Sequence, residues 1–223
     1  ETHIVVDLSP SLDFGTTHQE KRDLVLSIVG AIGMLTGRVG NRFGAMILSP
    51  DGVMSVPAAQ GRPHLMGILH RVATAPRAAG GSADLGEALH RLAGHARRRG
   101  LVVVVSDFIT PDGWQRPMAR LGARHDLLAV EILDPRELEL PNVGLVTMTD
   151  PETGAQREVA THKASVRRHY AEAAAAQRMQ IASDLTTAGA GHLQLRTDRD
   201  WILDLAKFVI QRRKRNDVVK RTR

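Results

Sequence analysis

Two kinds of hydrophobic pattern alternate along this chain. Short, continuous apolar runs such as Ile4-Val5-Val6 and Leu101-Val102-Val103-Val104-Val105 end abruptly in acids, at Asp7 and at Ser106-Asp107. Runs without polar alternation read as strands buried on both faces, as in a parallel sheet. Between them, apolar residues recur at helical spacing. Leu24, Val25, Ile28, Val29, Ile32 and Leu35 form one stripe, behind a capping box at Thr17-His18-Gln19-Glu20 and ahead of Gly37. Leu65, Ile68, Leu69 and Val72 form a second stripe, after Arg62-Pro63-His64. Leu85, Ala88, Leu89, Leu92 and Ala96 form a third, which stops at Arg97-Arg98-Arg99 with Gly100 as the residue after the cap. Phe43, Ala45 and Ile47 alternate in a strand over 41–48, and Ser49-Pro50-Asp51-Gly52 turns it into Val53–Val56, where Pro57 suits a sheet edge. A short helix over 112–121 carries Trp114, Met118 and Leu121, and a strand over 125–132 follows.

The remaining third reads as a hairpin, a long helix, a strand and a final helix. Gly144 to Met148 and Arg157 to Val159 flank a turn whose tip is Pro151 to Gly154. A helix over 161–187 has strong intrinsic propensity from Ala171 to Ala176. His192 to Arg196 is a strand. Thr197 then caps a helix with Trp201, Ile202, Leu205, Phe208 and Val209 on one face. Strands alternating with helices predict an α/β fold with a mostly parallel central sheet and helices on both faces.

In such folds ligands sit beyond the C-terminal ends of the strands. Asp7, Ser9 and Ser11 follow the first strand in alternation, so a tight loop can turn all three oxygens to one point. Carboxylate and hydroxyl oxygens without His or Cys suit a hard cation such as Mg²⁺. The same residues also suit a plain helix cap, and the nonapeptide alone leaves both readings open. The second acid-tipped run shifts the balance toward a metal, because neighbouring strands would bring Asp7 and Asp107 to one edge.

The chain has 223 residues, 43% hydrophobic and 24% charged, enough for one α/β domain with a full core. Aromatic residues make up only 3%, so the core must come from Val, Leu, Ile, Ala and Met. The lack of Cys removes disulfides and thiolate chemistry and fits a reducing, cytoplasmic setting. No apolar stretch approaches the roughly 20 residues of a membrane span. The first residues run straight into a core strand without Met, which suggests a piece of a longer protein. Residues 212–223 hold seven Lys/Arg and one Asp and account for the whole net charge of +6. A terminal basic run reads as a solvated, poorly ordered tail, so nucleic acid is not expected as a partner.

Three motifs together carry a family resemblance. Asp7-x-Ser9-x-Ser11, the Gly80-Gly81-Ser82-Ala83-Asp84-Leu85 turn into a helix, and the strand ending in Asp107 resemble the metal-ion-dependent adhesion site of von Willebrand factor A domains. Ala83 stands where that family has a threonine ligand, which leaves Ser82 or Asp84 to supply the position and implies weaker metal binding. The second half adds Asp134-Pro135 with Glu139-Leu140-Pro141, Asp150-Pro151-Glu152-Thr153-Gly154, a helix bearing Tyr170, and Thr197-Asp198-x-Asp200. With these the chain resembles the bacterial "domain of unknown function 58" family, a von Willebrand A-like branch.

The resemblance implies a Rossmann-like three-layer sandwich with an antiparallel edge hairpin, as a single domain over 1–211 whose residues 133–211 are a family-specific extension. It implies Mg²⁺ or Mn²⁺ held by Asp7, Ser9, Ser11 and Asp107, with Ser82 and Asp84 nearby and the acids acting partly through water. It also implies a non-enzymatic adaptor working with a MoxR-type AAA+ ATPase in protein remodelling or maturation. A cation with few direct carboxylates stays underneutralised and can accept a partner's Asp or Glu as its last ligand. Specificity would then lie in the loops 10–17, 77–84 and 108–113.

Other chemistry is poorly supported. No P-loop and no Gly-x-Ser-x-Gly elbow occurs. A haloacid-dehalogenase phosphatase needs a second Asp where Ser9 stands. The alternative that survives is a metal-dependent hydrolase or nuclease using Asp7, Asp84 and Asp107.

Overall fold

The computed structural model describes residues 1–17, 19–37, 40–77, 81, 83–110 and 113–221, with the side chains of the last helix described as far as 212. Six strands form the main sheet: β1 (Thr2–Asp7), β2 (Phe43–Ser49), β3 (Gly52–Ala59), β4 (Leu101–Ser106), β5 (Asp126–Leu133) and β8 (Gly191–Arg196). Their order is β3-β2-β1-β4-β5-β8, and all neighbours are parallel except the β2–β3 edge hairpin. Two further strands, β6 (Leu145–Thr149) and β7 (Gln156–Ala160), make a separate antiparallel ribbon.

The uninterrupted apolar runs behave as buried central strands should. Ile4 and Val6 of β1 and Val103 and Val105 of β4 face one side. They meet α1 (Lys21–Gly37), α2 (Arg62–Thr74) and Leu205 and Phe208 of α7 (Trp201–Arg221). Val5, Val102 and Val104 face the other side, against α3 (Leu85–His95), α4 (Gln115–Gly122) and α6 (Ala164–Thr187). A single turn, α5 (Pro135–Leu138), follows β5. The three layers and the edge hairpin match the expected architecture.

Several boundaries differ from the sequence reading, each for a local reason. Helix α1 begins at Lys21 rather than behind a box at Thr17. Asp23 reaches back to the Glu20 amide at 3.3 Å, while the Thr17 hydroxyl donates to the carbonyls of Gln19 and Thr197. Strand β3 runs through Pro57 to Ala59, because its register shifts there and the proline falls at an irregularity of an edge strand. Helix α3 stops at His95, before the arginines. Gly100 lies instead where a Cβ would strike the Glu1 carbonyl, so it serves close packing of the β1 and β4 starts.

Asp200, not Thr197, caps α7, accepting from the amides of Ile202 and Leu203 at 3.0 and 3.1 Å. Only part of the predicted α7 face is covered: Leu205 and Phe208 are buried, whereas Ile202 is 61% exposed. The basic run expected as a loose tail is helical through Arg221. At its start the Arg212 guanidinium pairs with Asp126 and donates to the Leu127 carbonyl.

Candidate metal centre

Strands β1 and β4 are direct neighbours, with Val6 opposite Val105. That register sets Asp7 beside Ser106 and brings Asp107 to the same C-terminal edge. Asp7 is buried, and both its oxygens are engaged. Oδ1 accepts from the Ser9 amide at 2.9 Å and Oδ2 accepts from the Ser106 hydroxyl at 2.6 Å. Beyond Asp7 the chain closes a 3-10 turn over Pro10–Asp13, in which the Leu12 amide donates to the Ser9 carbonyl. This turn holds the buried Ser9 and Ser11 hydroxyls 3.1 Å apart. The Ser9 side chain makes no capping bond to the turn, so the plain cap reading does not account for these hydroxyls.

Asp107 is fully buried. Its Oδ1 accepts from the Ile109 amide at 3.0 Å and its Oδ2 accepts from the Lys21 ammonium at 2.8 Å. The next residue, Phe108, has φ 57°, a left-handed conformation that side chains other than glycine rarely adopt. It is held there by a bond from its amide to Ser106 Oγ at 2.9 Å and by packing on Trp114 at 5.3 Å between ring centroids. Strain of this kind persists where the surroundings over-determine the backbone, commonly at functional edges.

The middle motif contributes differently. Asp84 is exposed and caps α3, its Oδ1 accepting from the Glu87 amide at 2.9 Å. Ala83 is buried, and its carbonyl accepts from the Thr110 hydroxyl at 3.0 Å. Ser82 and Gly80 lie outside the described residues. Among the described residues no three or more His, Asp or Glu side chains are grouped as a metal cage. The structure thus brings together Asp7, Ser9, Ser11 and Asp107, and leaves Asp84 as a helix cap.

Four charged residues at this edge were not singled out from the sequence. Lys21, whose side chain is 0% exposed, bridges Asp107 and Glu137, reaching Glu137 Oε1 at 2.6 Å. Arg178 of α6 donates to the Asp107 carbonyl at 3.1 Å and to Glu131 Oε1 at 2.8 Å. Signals for these existed. A cation in the first turn of a helix opposes the dipole, and Glu131 interrupts an apolar strand where a charge needs a partner.

Asp134, at the tip of β5, makes a third acid-ended strand. It accepts from the Thr16 amide and hydroxyl, the Arg136 amide and the Thr197 hydroxyl. Burial would raise the Asp134 carboxyl, but these bonds outweigh it and hold it below the usual range. Asp134 thus latches the Asp13–Thr16 loop in place beside the edge.

The electrostatics separate the two central acids. Burial raises the Asp7 carboxyl to about 6, and the Asp107 charge adds to the rise against the bonds from Ser106 and Ser9. Asp107 is also penalised by burial, but the Lys21 charge and hydrogen bond bring it below the ordinary value. Asp7, Asp107, Glu137 and Glu131 face two fixed cations, Lys21 and Arg178. Asp7, a buried carboxylate that has no cationic partner among the described residues and is set beside paired hydroxyls, is part of a donor set that fits Mg²⁺ or Mn²⁺. Lys21 limits what Asp107 can offer, since one of its oxygens already holds an ammonium.

The family model described as "Protein of unknown function DUF58" matches residues 1–180. The "Uncharacterized protein Rv1480" of Mycobacterium tuberculosis is 46% identical over 215 residues, covering 96% of this chain and 68% of that protein. In three dimensions the chain is similar to the conserved hypothetical protein BatB from Bacteroides thetaiotaomicron, with TM-score 0.55 and 9% identity over 96% of this chain and 98% of that one. It is also similar to the SpRpn10 VWA domain, with TM-score 0.51 and 14% identity over 94% and 93% of the two chains. At these identities the structural likenesses speak for the fold alone.

Proposed function

Since the chain belongs to the DUF58 family and has a von Willebrand A-like fold, we propose that it is a non-enzymatic, divalent-metal-dependent protein-binding adaptor. Its partner on this reading is a MoxR-type AAA+ ATPase, or a protein which that ATPase remodels or matures. The observation that carries the proposal is Asp7: a buried carboxylate with hydrogen bonds but, among the described residues, no cationic partner, next to the Ser9 and Ser11 hydroxyls. Asp7, Ser9, Ser11 and Asp107 would hold the metal, the acids partly through water. When bound, the cation supplies a positive charge with an open position for an exogenous carboxylate.

The chain's own residues explain why such a site would bind rather than react. Ser9 and Ser11 hydrogen-bond each other, and among the described residues neither pairs with a His. The Lys21 ammonium is kept protonated: burial would lower it, but Asp107 and Glu137 hold it up. The nuclease reading would also call on Asp84, an exposed residue whose Oδ1 caps α3.

Among the described residues no helix is long and apolar enough to cross a membrane. Contact with the ATPase is proposed at the strand-tip edge, bordered by the Pro10–Thr17 loop and the segment after Asp107. Pull-down of a MoxR-type ATPase from the same genome tests this. Capture in Mg²⁺ should be lost with chelator and lost in Ser9→Ala/Ser11→Ala. Capture unaffected by either would move docking to another surface.

A further inference from the structure

The two edges of the main sheet are built differently. Strand β3 is blunted: its pairing with β2 shifts register near its end, and Pro57 falls at the shift. Both features discourage a further strand. Strand β8, the opposite edge, has neither. It pairs with β5 in one unbroken parallel register, from Leu128 opposite Gly191 to Leu133 opposite Arg196. The Thr197 amide extends that ladder, donating to the Leu133 carbonyl at 3.0 Å. Main-chain groups alternate in direction along a strand. Those of Leu193 and Leu195 therefore face β5, and those of His192, Gln194 and Arg196 face outward. No strand lies beside them, and among the described residues no turn or loop bond reaches these three amides. A cleft of about 530 Å³ runs along this edge, with Arg178 of α6 in one wall and Lys207 and Phe208 of α7 in the other. Its charged lining is mostly basic: Arg178, Arg196, Arg199 and Lys207 against one acid, Asp204. Glu131 holds Arg178 and Asp198 holds Arg196. Arg199 and Lys207 are exposed and form no ion pair among the described residues.

We propose that this edge is a docking groove for an extended, acidic peptide of a partner protein, which adds as a seventh strand beside β8. Strand addition draws its affinity from main-chain bonds and its selectivity from alternate side chains. The outward amides of His192, Gln194 and Arg196 supply the first. The cleft supplies the second, because α6 and α7 wall the two faces that an added strand presents. Acidic side chains on the α7 side meet Arg199 and Lys207, the two cations with no acid of their own. The cleft lining includes none of Asp7, Ser9, Ser11 and Asp107. This surface is therefore separate from the candidate metal centre, and the proposal does not rest on the metal-dependent reading.

Fluorescence anisotropy on the full chain tests this with two labelled peptide probes as long as β8, one alternating Glu and Val and one alternating Lys and Val. The acidic probe should bind saturably with or without chelator, and the lysine probe about tenfold more weakly. Methylating the main-chain nitrogens of the acidic probe at its Glu or at its Val positions should abolish binding for one set and spare the other, because an added strand pairs along one side only. Arg199→Glu/Lys207→Glu, two exposed positions, should weaken the acidic probe about tenfold. Gln194→Pro, which removes an outward amide where an edge strand tolerates proline, should abolish it, with circular dichroism confirming the fold. If Gln194→Pro does not fold, the methylated probes and the charge reversal decide. No saturable binding of the acidic probe at about 1 mM, equal binding of the two probes, or binding that survives methylation at both sets would overturn the proposal and leave the basic side chains as guards of an open edge. Binding lost with chelator would place the peptide at the metal centre and overturn it as well.

Discussion

Replacing Lys21 by Met is expected to cost about 3–5 kcal/mol of folding stability, as removal of one partner from a buried ion pair does. The ammonium is completely enclosed and holds two carboxylates, Asp107 at 2.8 Å and Glu137 at 2.6 Å. Methionine fills the volume but leaves both acids without their shared cation. Asp107 is enclosed as deeply as the lysine, so solvent cannot substitute. A loss of this size is a large fraction of the roughly 5–15 kcal/mol by which a domain is stable. Denaturant unfolding at neutral pH measures it, and a loss below about 1 kcal/mol, the range of exposed pairs, would show that the triad contributes little. The same variant should bind Mg²⁺ more tightly than wild type, because Asp107 then offers both oxygens. Lys21 is on this view an internal stand-in for part of the metal's charge, present at all times and fixed to α1.

The second large effect concerns pH. Asp7 carries a carboxyl raised to about 6, by burial first and by Asp107 second, from an ordinary value of 3.8. In the absence of metal the folded protein binds a proton there more tightly than the unfolded chain. Stability therefore rises as pH falls from above 6 toward 4, by up to about 3 kcal/mol. Above pH 6 the full penalty of a buried charge is present. His3 and His125 act in the opposite sense, since burial lowers both and the unfolded chain takes up their protons first. Asp107 and Asp134, both held low, lose their contribution only below the ordinary carboxylate range. The difference between wild-type and Asp7→Asn profiles isolates Asp7: the variant should be the more stable at neutral pH without metal, and the advantage should vanish near pH 4. A flat difference would contradict the burial of an uncompensated charge.

Much of the fold was legible because the strongest signals are the longest ones. The Leu101–Val105 run has no polar alternation, and only a strand covered on both sides can bury it. The edge was legible from Pro57, which a central strand would not tolerate. Helix ends were less so. Thr17 with Glu20 spells a capping box, but tertiary bonds to Thr197 and Asp134 draw this loop away, and Asp23 takes over the role. The α7 face misled in a similar way, since Ile202 and Val209 carry the right spacing and still point outward. Spacing tells which residues share a stripe but not how wide a stripe the neighbours cover.

At the site, the acids and hydroxyls were readable because they follow strand ends in sequence. What was not readable was their charge balance. Lys21 reaches Asp107 across 86 residues of sequence and Arg178 reaches Glu131 across 47, and such pairings leave no local pattern. The bond between the Gly81 amide and the Glu152 carbonyl is of the same kind, since it depends on how the ribbon folds back.

The central claim is that Asp7 with Ser9 and Ser11 forms a divalent-metal site, and calorimetric titration of Mg²⁺ at neutral pH tests it most directly. Wild type should bind one equivalent weakly, with release of protons from the fraction of Asp7 still protonated. Asp7→Asn, folded and at least as stable, should give no heat. Equal heats in the two proteins, or none in wild type, would remove the metal from this edge.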